Sequence, residues 1–309
     1  MPNDWNLDQV PDLSGRVIIV TGANSGIGYE AALGLAKRKA DVVLACRNQE
    51  KAQAAADRIH DEAPTARLEL IPLDLSDLSS VRAFADSFRE RYSQLNVLIN
   101  NAGVMAIPKR TTADGFEMQF GTNHLGHFAL TGRLLDRLLA TPGSRVVNVS
   151  SNAHVFGKIR FDDLQWEKGY QTWLAYGQSK LANLLFTHEL DRRFKEAGSD
   201  AISVGCHPGW AATELQQAGP RMAGSKLMEK LSGLGNALFA QDAAAGALPT
   251  LFAAVEPLRG NEYIGPTGFM GQHGSPEVIQ PRRKARDPET AKRLWEESER
   301  LTGVRYAFS

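Results

Sequence analysis

The stretch Val17-Ile18-Ile19-Val20-Thr21-Gly22-Ala23-Asn24-Ser25-Gly26-Ile27-Gly28 decides the fold. Its first four residues are apolar and β-branched, the signature of a strand covered on both faces. From Ile27 to Arg38 the pattern is helical. Between the two lies a glycine-rich turn with the spacing G-x-x-x-G-x-G. Glycines there let the backbone turn tightly and approach a phosphate, which then meets the helix N-terminus. A strand-glycine-helix junction predicts a dinucleotide-binding βα unit, although such a turn also occurs without any ligand.

The same alternation continues outward. Val42–Ala45, Leu68–Leu73, Val97–Ile99, Val146–Val149 and Ile202–Cys206 read as further strands, and Tyr263-Ile264 as a seventh. Between them lie helical patterns from Asn48 to Pro64, Asp77 to Tyr92, Phe116 to Leu139 and Trp173 to Phe194. Regular β-α alternation implies parallel strands with right-handed crossovers. The expected architecture is α/β: a doubly wound, mostly parallel seven-stranded sheet in three layers, in a single domain spanning 1–309. Trp210 to Gln241 is rich in glycine, methionine and leucine and reads as a substrate lid within that domain. Asp242 to Val255 reads as a small-residue helix, and Asp287 to Leu301 as an amphipathic terminal one.

Composition excludes several classes. The 309 residues are 43% hydrophobic and 23% charged, with a formal net charge of zero. That balance supplies no field for nucleic acid or an anionic surface. Two cysteines, Cys46 and Cys206, end apolar runs and suggest neither a disulfide framework nor a zinc site. Met1 to Val10 carries Asp4 and Asp8 and no apolar core, so no secretory signal is read there. No apolar stretch approaches the ~18 residues of a membrane span. A cytoplasmic location is expected.

Cofactor choice is written after the second strand. An acid at its end would favour NAD(H) by binding the ribose hydroxyls. Here the strand ends Ala45-Cys46-Arg47, and Asp41 lies at the opposite end. Arg47 suits a 2′-phosphate, with Asn24 and Asn48 as nearby donors, so NADP(H) is favoured over NAD(H). The competing reading makes Arg47 a solvated residue at a helix start. Asp74-Leu75 lies where an adenine edge would be met, unless Asp74 only caps the next helix.

Tyr176-Gly177-Gln178-Ser179-Lys180 places a phenol and an ammonium four residues apart on one helix face. A free phenol has a pKa of about 10, so ionising it at pH 7 costs ~4 kcal/mol. A nearby ammonium lowers that cost. Tyr-x-x-x-Lys alone is common by chance. Its company is not: Ser150-Ser151 ends the fifth strand, Asn100-Asn101-Ala102-Gly103 the fourth, and Asn123 sits within a helix it does not favour. All converge on the carboxyl edge of the sheet, where ligands bind in this architecture.

With these motifs in order from about Leu13 to Tyr263, ending in Pro208-Gly209, the chain resembles the short-chain dehydrogenase/reductase family. The resemblance implies a Rossmann-type fold. It implies a tetrad of Asn123, Ser151, Tyr176 and Lys180, with Tyr176 as acid or base. Ser151 then orients the substrate oxygen, Lys180 binds ribose and lowers the phenol pKa, and Asn123 holds a water in a proton relay. Gly22, Asn24, Ser25, Gly26, Ile27, Gly28, Asn101, Ala102, Gly103, Pro208, Gly209 and Thr213 fall at cofactor positions. Leu44-Ala45-Cys46-Arg47-Asn48, Asn123-His124-Leu125-Gly126-His127-Phe128 and Val147 to His154 resemble the retinol dehydrogenase and protochlorophyllide reductase-like branch, which generally takes NADP(H).

The expected activity is hydride transfer between NADP(H) and a small-molecule carbonyl or alcohol. A non-catalytic NADP(H)-binding sensor or scaffold and a C=C reductase are the alternatives. The gap from Ser151 to Tyr176 is about twice the usual one; the extra residues are expected to form a flap. They also bear on the helix surface through which many members tetramerise, so a homo-oligomer stays open. His124 and His127 lack a third clustered ligand, which makes packing or substrate lining a better reading than a metal. Met105, Phe156, Trp173, Trp210, Met222, Leu227 and Met228 are candidates for an apolar pocket, or ordinary core.

Overall fold

The computed structural model describes residues 5–209, 243–268 and 271–308. The strands are β1 (Val17–Thr21), β2 (Asp41–Cys46), β3 (Arg67–Pro72), β4 (Val97–Asn100), β5 (Arg145–Val149), β6 (Ile202–Cys206), β7 (Tyr263–Pro266) and β8 (Pro276–Ile279). They form one sheet in the order β3-β2-β1-β4-β5-β6-β7-β8, parallel throughout except for the antiparallel pair β7 and β8. The sequence predicts seven strands. The eighth was hidden because it is four residues long, begins with proline and exposes Glu277 and Val278. A hairpin return fixes it instead: Thr267 donates its N–H to Ser275 O.

Helices α1 (Gly26–Lys37), α2 (Gln49–Glu62) and α3 (Leu78–Arg91) start within one residue of their expected positions. Asn48 and Asp77 are their reason in two cases, each accepting backbone N–H groups as an N-cap. Alternate residues of β1 face opposite layers. Ile18 and Val20 pack with Leu33, Leu35, Ile59 and Leu251, whereas Val17 and Ile19 pack with Phe84, Phe88, Phe128 and Phe186. Both faces of the sheet are therefore covered, as an apolar, non-alternating strand requires.

The long pattern from Phe116 to Leu139 does not form one helix. A short α4 (Met118–Phe120) passes into a π-helical turn at Gly121–Leu125, then α5 (Gly126–Arg133) and α6 (Leu135–Ala140). Helix α7 (Thr172–Glu196) is the longest described element, and α8 (Ala243–Val255) precedes β7. The terminal helix α9 (Pro288–Thr302) begins on the Asp287 cap and ends at Gly303 in the left-handed region. Its Trp295 ring lies 5.1 Å from that of Phe128 and 5.9 Å from that of Phe186. Beyond it, the Tyr306 hydroxyl donates to Phe128 O at 2.6 Å. Among the described residues no helix is long and apolar enough to cross a membrane.

Candidate active site

Strand order reverses between β1 and β4, whose neighbours are β2 and β5. The loops leaving β1 and β4 diverge there and open a crevice at the carboxyl edge. Thr21, last residue of β1, joins the two loops. Its hydroxyl oxygen accepts the N–H groups of Asn101 and Ala102 at 2.9 Å each, and its carbonyl accepts Asn101 Nδ2 at 2.8 Å.

The glycine loop depends on two close approaches. Gly22 has φ +67°, and a Cβ there would meet Ala102 Cβ at 2.9 Å. A Cβ at Gly28 would overlap the Gly22 carbonyl oxygen and crowd Asn101 Nδ2 at 2.5 Å. Gly26 is also left-handed, at φ +53°. Ser25 is the extended N-cap of α1, yet its hydroxyl makes no capping bond. Hydroxyl and first-turn N–H groups, including those of Ile27 and Gly28, therefore make a set of anion donors. The N–H groups of Ala23 and Asn24 reach the Cys46 thiol, which burial pushes up to about 11.

At the far end of the crevice the Arg47 side chain is 73% exposed, with its guanidinium 3.9 Å from the Asp74 carboxylate. Asn48 Oδ1 is engaged as the α2 cap, accepting Lys51 N–H at 2.8 Å. Asp74 does not cap α3, which Asp77 does; it accepts the N–H and hydroxyl of Ser76. Leu75 is buried against the start of α5 at Gly126.

The four tetrad positions come together. The two serines divide cleanly. Ser150 is buried and donates to Lys180 O at 2.8 Å, whereas Ser151 is half-buried, and its hydroxyl acts to lower the Tyr176 phenol pKa. Ser151 Oγ also accepts Ala153 N–H at 3.2 Å. Lys180 is buried, donates to Val149 O at 3.0 Å, and has Nζ 5.8 Å from the Tyr176 ring centre. Gly103 abuts Asn123 Oδ1 and Lys180 Nζ.

Burial pushes the Tyr176 phenol up to about 12, with the Ser151 hydroxyl acting in the opposite direction. Lys180 gives one of its three N–H groups to Val149 O, and burial brings its own pKa down to about 8. The Asn123 side chain is held at both ends of its amide. Its Oδ1 accepts Val104 N–H at 2.8 Å, and its Nδ2 donates to Val104 O and Ser179 Oγ, both at 2.9 Å. The amide is a clamp between the loop after β4 and α7. A π turn in a helix often marks a functional position, and here it carries Asn123.

The flap packs on α7: the Gly177 backbone lies against Ala153 O and the Phe156 ring. Phe156 and Trp173 are exposed, and Trp173 meets the Tyr176 ring edge-on at 6.2 Å. Met105 is half-buried in the loop after β4. Trp210, Met222, Leu227, Met228, Thr213 and the rest of 210–241 lie outside the described residues. Pro208 and Gly209 follow β6, with Gly209 at φ +71° donating its N–H to His207 Nδ1 at 3.1 Å.

Sequence reasoning missed the fastening of the flap. Glu117 is buried; it accepts the N–H groups of Gln119 and Phe120, and its Oε1 accepts the Tyr170 hydroxyl at 3.2 Å. Gln119 donates to Tyr170 Oη and Thr172 O, and Lys109 donates to Trp166 O. A charged residue inside the apolar run Phe116-Glu117-Met118-Gln119-Phe120 was the available signal. His124 and His127 are both buried, and burial lowers their pKa values to about 3 and 4, so both are neutral. Neither lines a substrate pocket: His124 contacts Ser298 and His127 contacts Thr21. Among the described residues no three metal-ligating side chains cluster.

A family model described as short chain dehydrogenase matches residues 16–223. The chain belongs to the short-chain dehydrogenase family. Among the relatives of this short-chain dehydrogenase is retinol dehydrogenase 13 of Homo sapiens, 45% identical over 94% of this chain and 86% of that protein. Retinol dehydrogenase 12 of Mus musculus is 43% identical over 96% and 89%. A solved structure of an uncharacterised protein from Mycobacterium paratuberculosis shares 42% identity, with a TM-score of 0.82, over 99% of this chain and all of that one. A short chain dehydrogenase of Shigella flexneri complexed with NADP shares the fold, at a TM-score of 0.61 and 23% identity over 80% and 94%. This short-chain dehydrogenase is thus retinol dehydrogenase-like, an oxidoreductase acting on alcohol or carbonyl groups.

Proposed function

We propose that the protein is an NADP(H)-dependent oxidoreductase of an apolar carbonyl or alcohol, with Tyr176 as the proton donor and acceptor. The observation that carries this reading is a buried phenol, within the influence of the Ser151 hydroxyl, one helical turn from a buried ammonium.

In support of a cofactor there, Gly22 and Gly28 let the two crevice loops close on each other, and the Ser25 hydroxyl, which makes no capping bond, stands with the first-turn N–H groups to meet a phosphate. Ser25, Gly26, Ile27 and Gly28 would take the pyrophosphate, and Arg47 the 2′-phosphate. Asp74 and Leu75 would take the adenine, with Asn101 to Gly103 along the crevice. Lys180 would bind the nicotinamide ribose, with Pro208, Gly209 and Thr213 near the ring. When bound, the nicotinamide supplies or accepts the hydride. Ser151 orients the substrate oxygen and Tyr176 gives it a proton. A phenol held near 12 stays protonated at neutral pH, which suits reduction. Exposed Phe156, Trp173 and Leu174 beside Tyr176 offer apolar contact to the substrate. The 309 residues act as one domain, and free, buried Cys46 and Cys206 accord with the cytoplasm.

The test is NADPH oxidation with a panel of apolar aldehydes and ketones in the dark. Turnover of at least one acceptor is expected. Tight NADPH binding without turnover of any acceptor would leave a sensor or scaffold, and turnover only of C=C substrates would leave the other alternative. The pH dependence follows from Lys180. Its charged form is lost as pH rises through about 8, so kcat/KM for reduction, which reports the free enzyme, should fall above that pH. A profile flat to pH 10 would remove the charge of Lys180 from the mechanism.

A further inference from the structure

Thr21, His127 and Asn123 are joined by hydrogen bonds whose direction can be deduced. The Thr21 hydroxyl oxygen accepts two backbone N–H groups, from Asn101 and Ala102. A hydroxyl has two lone pairs and one proton, so its own proton must be donated. The acceptors in reach are Ile99 O at 3.2 Å and His127 Nε2 at 3.0 Å. The other ring nitrogen, Nδ1, lies 3.0 Å from the Asn123 carbonyl oxygen. A carbonyl can only accept, so Nδ1 carries a proton. The ring is 2% exposed and holds a single proton at neutral pH, because burial and the Lys180 charge both oppose a second. Nε2 is then bare, and Thr21 is the donor that meets it. The backbone of His127 is also fixed: Thr131 Oγ1 donates to His127 O at 2.8 Å and itself accepts Asn100 Nδ2 at 3.1 Å.

Each end of this chain has a function. It begins where β1 enters the glycine loop and where the loop after β4 supplies two N–H groups. It ends on the main chain of the π turn, at the residue whose amide holds Val104 and Ser179. Ser179 precedes Lys180. A single ring therefore ties both crevice loops to the segment that carries Asn123, and successive donors polarise one another along it.

We propose that His127 is a positioning residue, held as its Nδ1–H tautomer, that sets the Asn123 carbonyl in register with the two cofactor loops. This rests on the reading that Asn123 serves the proton relay of Tyr176. His127→Phe keeps a planar ring and removes both hydrogen bonds. Because misplacement of about 1 Å can cost ~10²-fold in rate, kcat at saturating NADPH should fall roughly 10–10²-fold. KM for NADPH and for the carbonyl should change far less. His127→Asn, which can still present an N–H near the Nδ1 position, should recover most of that kcat. A merely structural role would lower stability in both variants without separating kcat from KM. Nitrogen-15 NMR of the wild-type protein gives a second readout that needs no variant to fold. A protonated Nδ1 and bare Nε2 are expected from pH 6 to 8, and a proton on Nε2 overturns the assignment. Full kcat in His127→Phe, with Tyr176→Phe inactive, overturns the role of His127 alone. Full activity in both overturns the reading of the site.

Discussion

Tyr176→Phe is expected to lower kcat by about 10³-fold or more, since general acid catalysis contributes typically ~10²–10⁴-fold. The change removes one oxygen and leaves the ring in place. Phenylalanine keeps the edge contact with Trp173 and the packing of the buried α7 face. Among the described residues no backbone group is bonded to the phenol, which lies within the influence of the half-buried Ser151 hydroxyl. Stability should therefore hold, and NADPH should bind with little change. Two measurements together decide the point, steady-state kcat and an NADPH titration. A loss of binding as large as the loss of rate would make Tyr176 a structural residue. Retention of rate with every good substrate would remove it from the chemistry altogether.

Arg47→Asp is expected to weaken NADPH by on the order of 10²-fold, because a hydrogen bond to a charged group is worth about 1.5–3 kcal/mol and like-charge repulsion is added to its loss. NADH lacks the 2′-phosphate and should be affected only several-fold. The local geometry favours a clean result. Arg47 is exposed and makes one long contact, 3.9 Å to Asp74, so its removal disturbs no packing. The substitution also sets a second carboxylate near Asp74, which deepens the repulsion of a phosphate. Fluorescence titration of both nucleotides is the measurement. Equal weakening of the two would sink the 2′-phosphate role.

Much of this was legible in the residues, for identifiable reasons. Strands such as Val17–Val20 are apolar throughout, so no register was needed to see that both faces are covered. Caps at Asn48 and Asp77 announced their helices. Ser151 and the run from Asn100 to Gly103 were legible because they sit at strand ends, where sequence order fixes spatial position in a doubly wound sheet. What escaped was the state of the site residues. The spacing of Tyr176 and Lys180 gave no sign that Lys180 would donate to Val149 O, or that burial would push the phenol up to about 12. Nor did the sequence show that three hydrogen bonds would tie the Asn123 amide to Val104 and Ser179. Both are outcomes of partners far apart in the chain, which local pattern does not encode. The π turn escaped for a related reason, since a helical pattern does not say where one extra residue enters the ladder.

Helix α9 and the tail behind it bear on how α5 and α7 are kept in place. Trp295, Tyr306 and Phe308 pack together over Phe128 of α5 and Phe186 of α7. Where such a face is covered by another subunit, its packing weakens on dilution, because association is lost by mass action. Here the cover is joined to the same backbone, and its effective concentration is set by the chain and not by the solution. The support behind α5 and α7 therefore persists unchanged from a concentrated stock to the trace amounts of a rate assay.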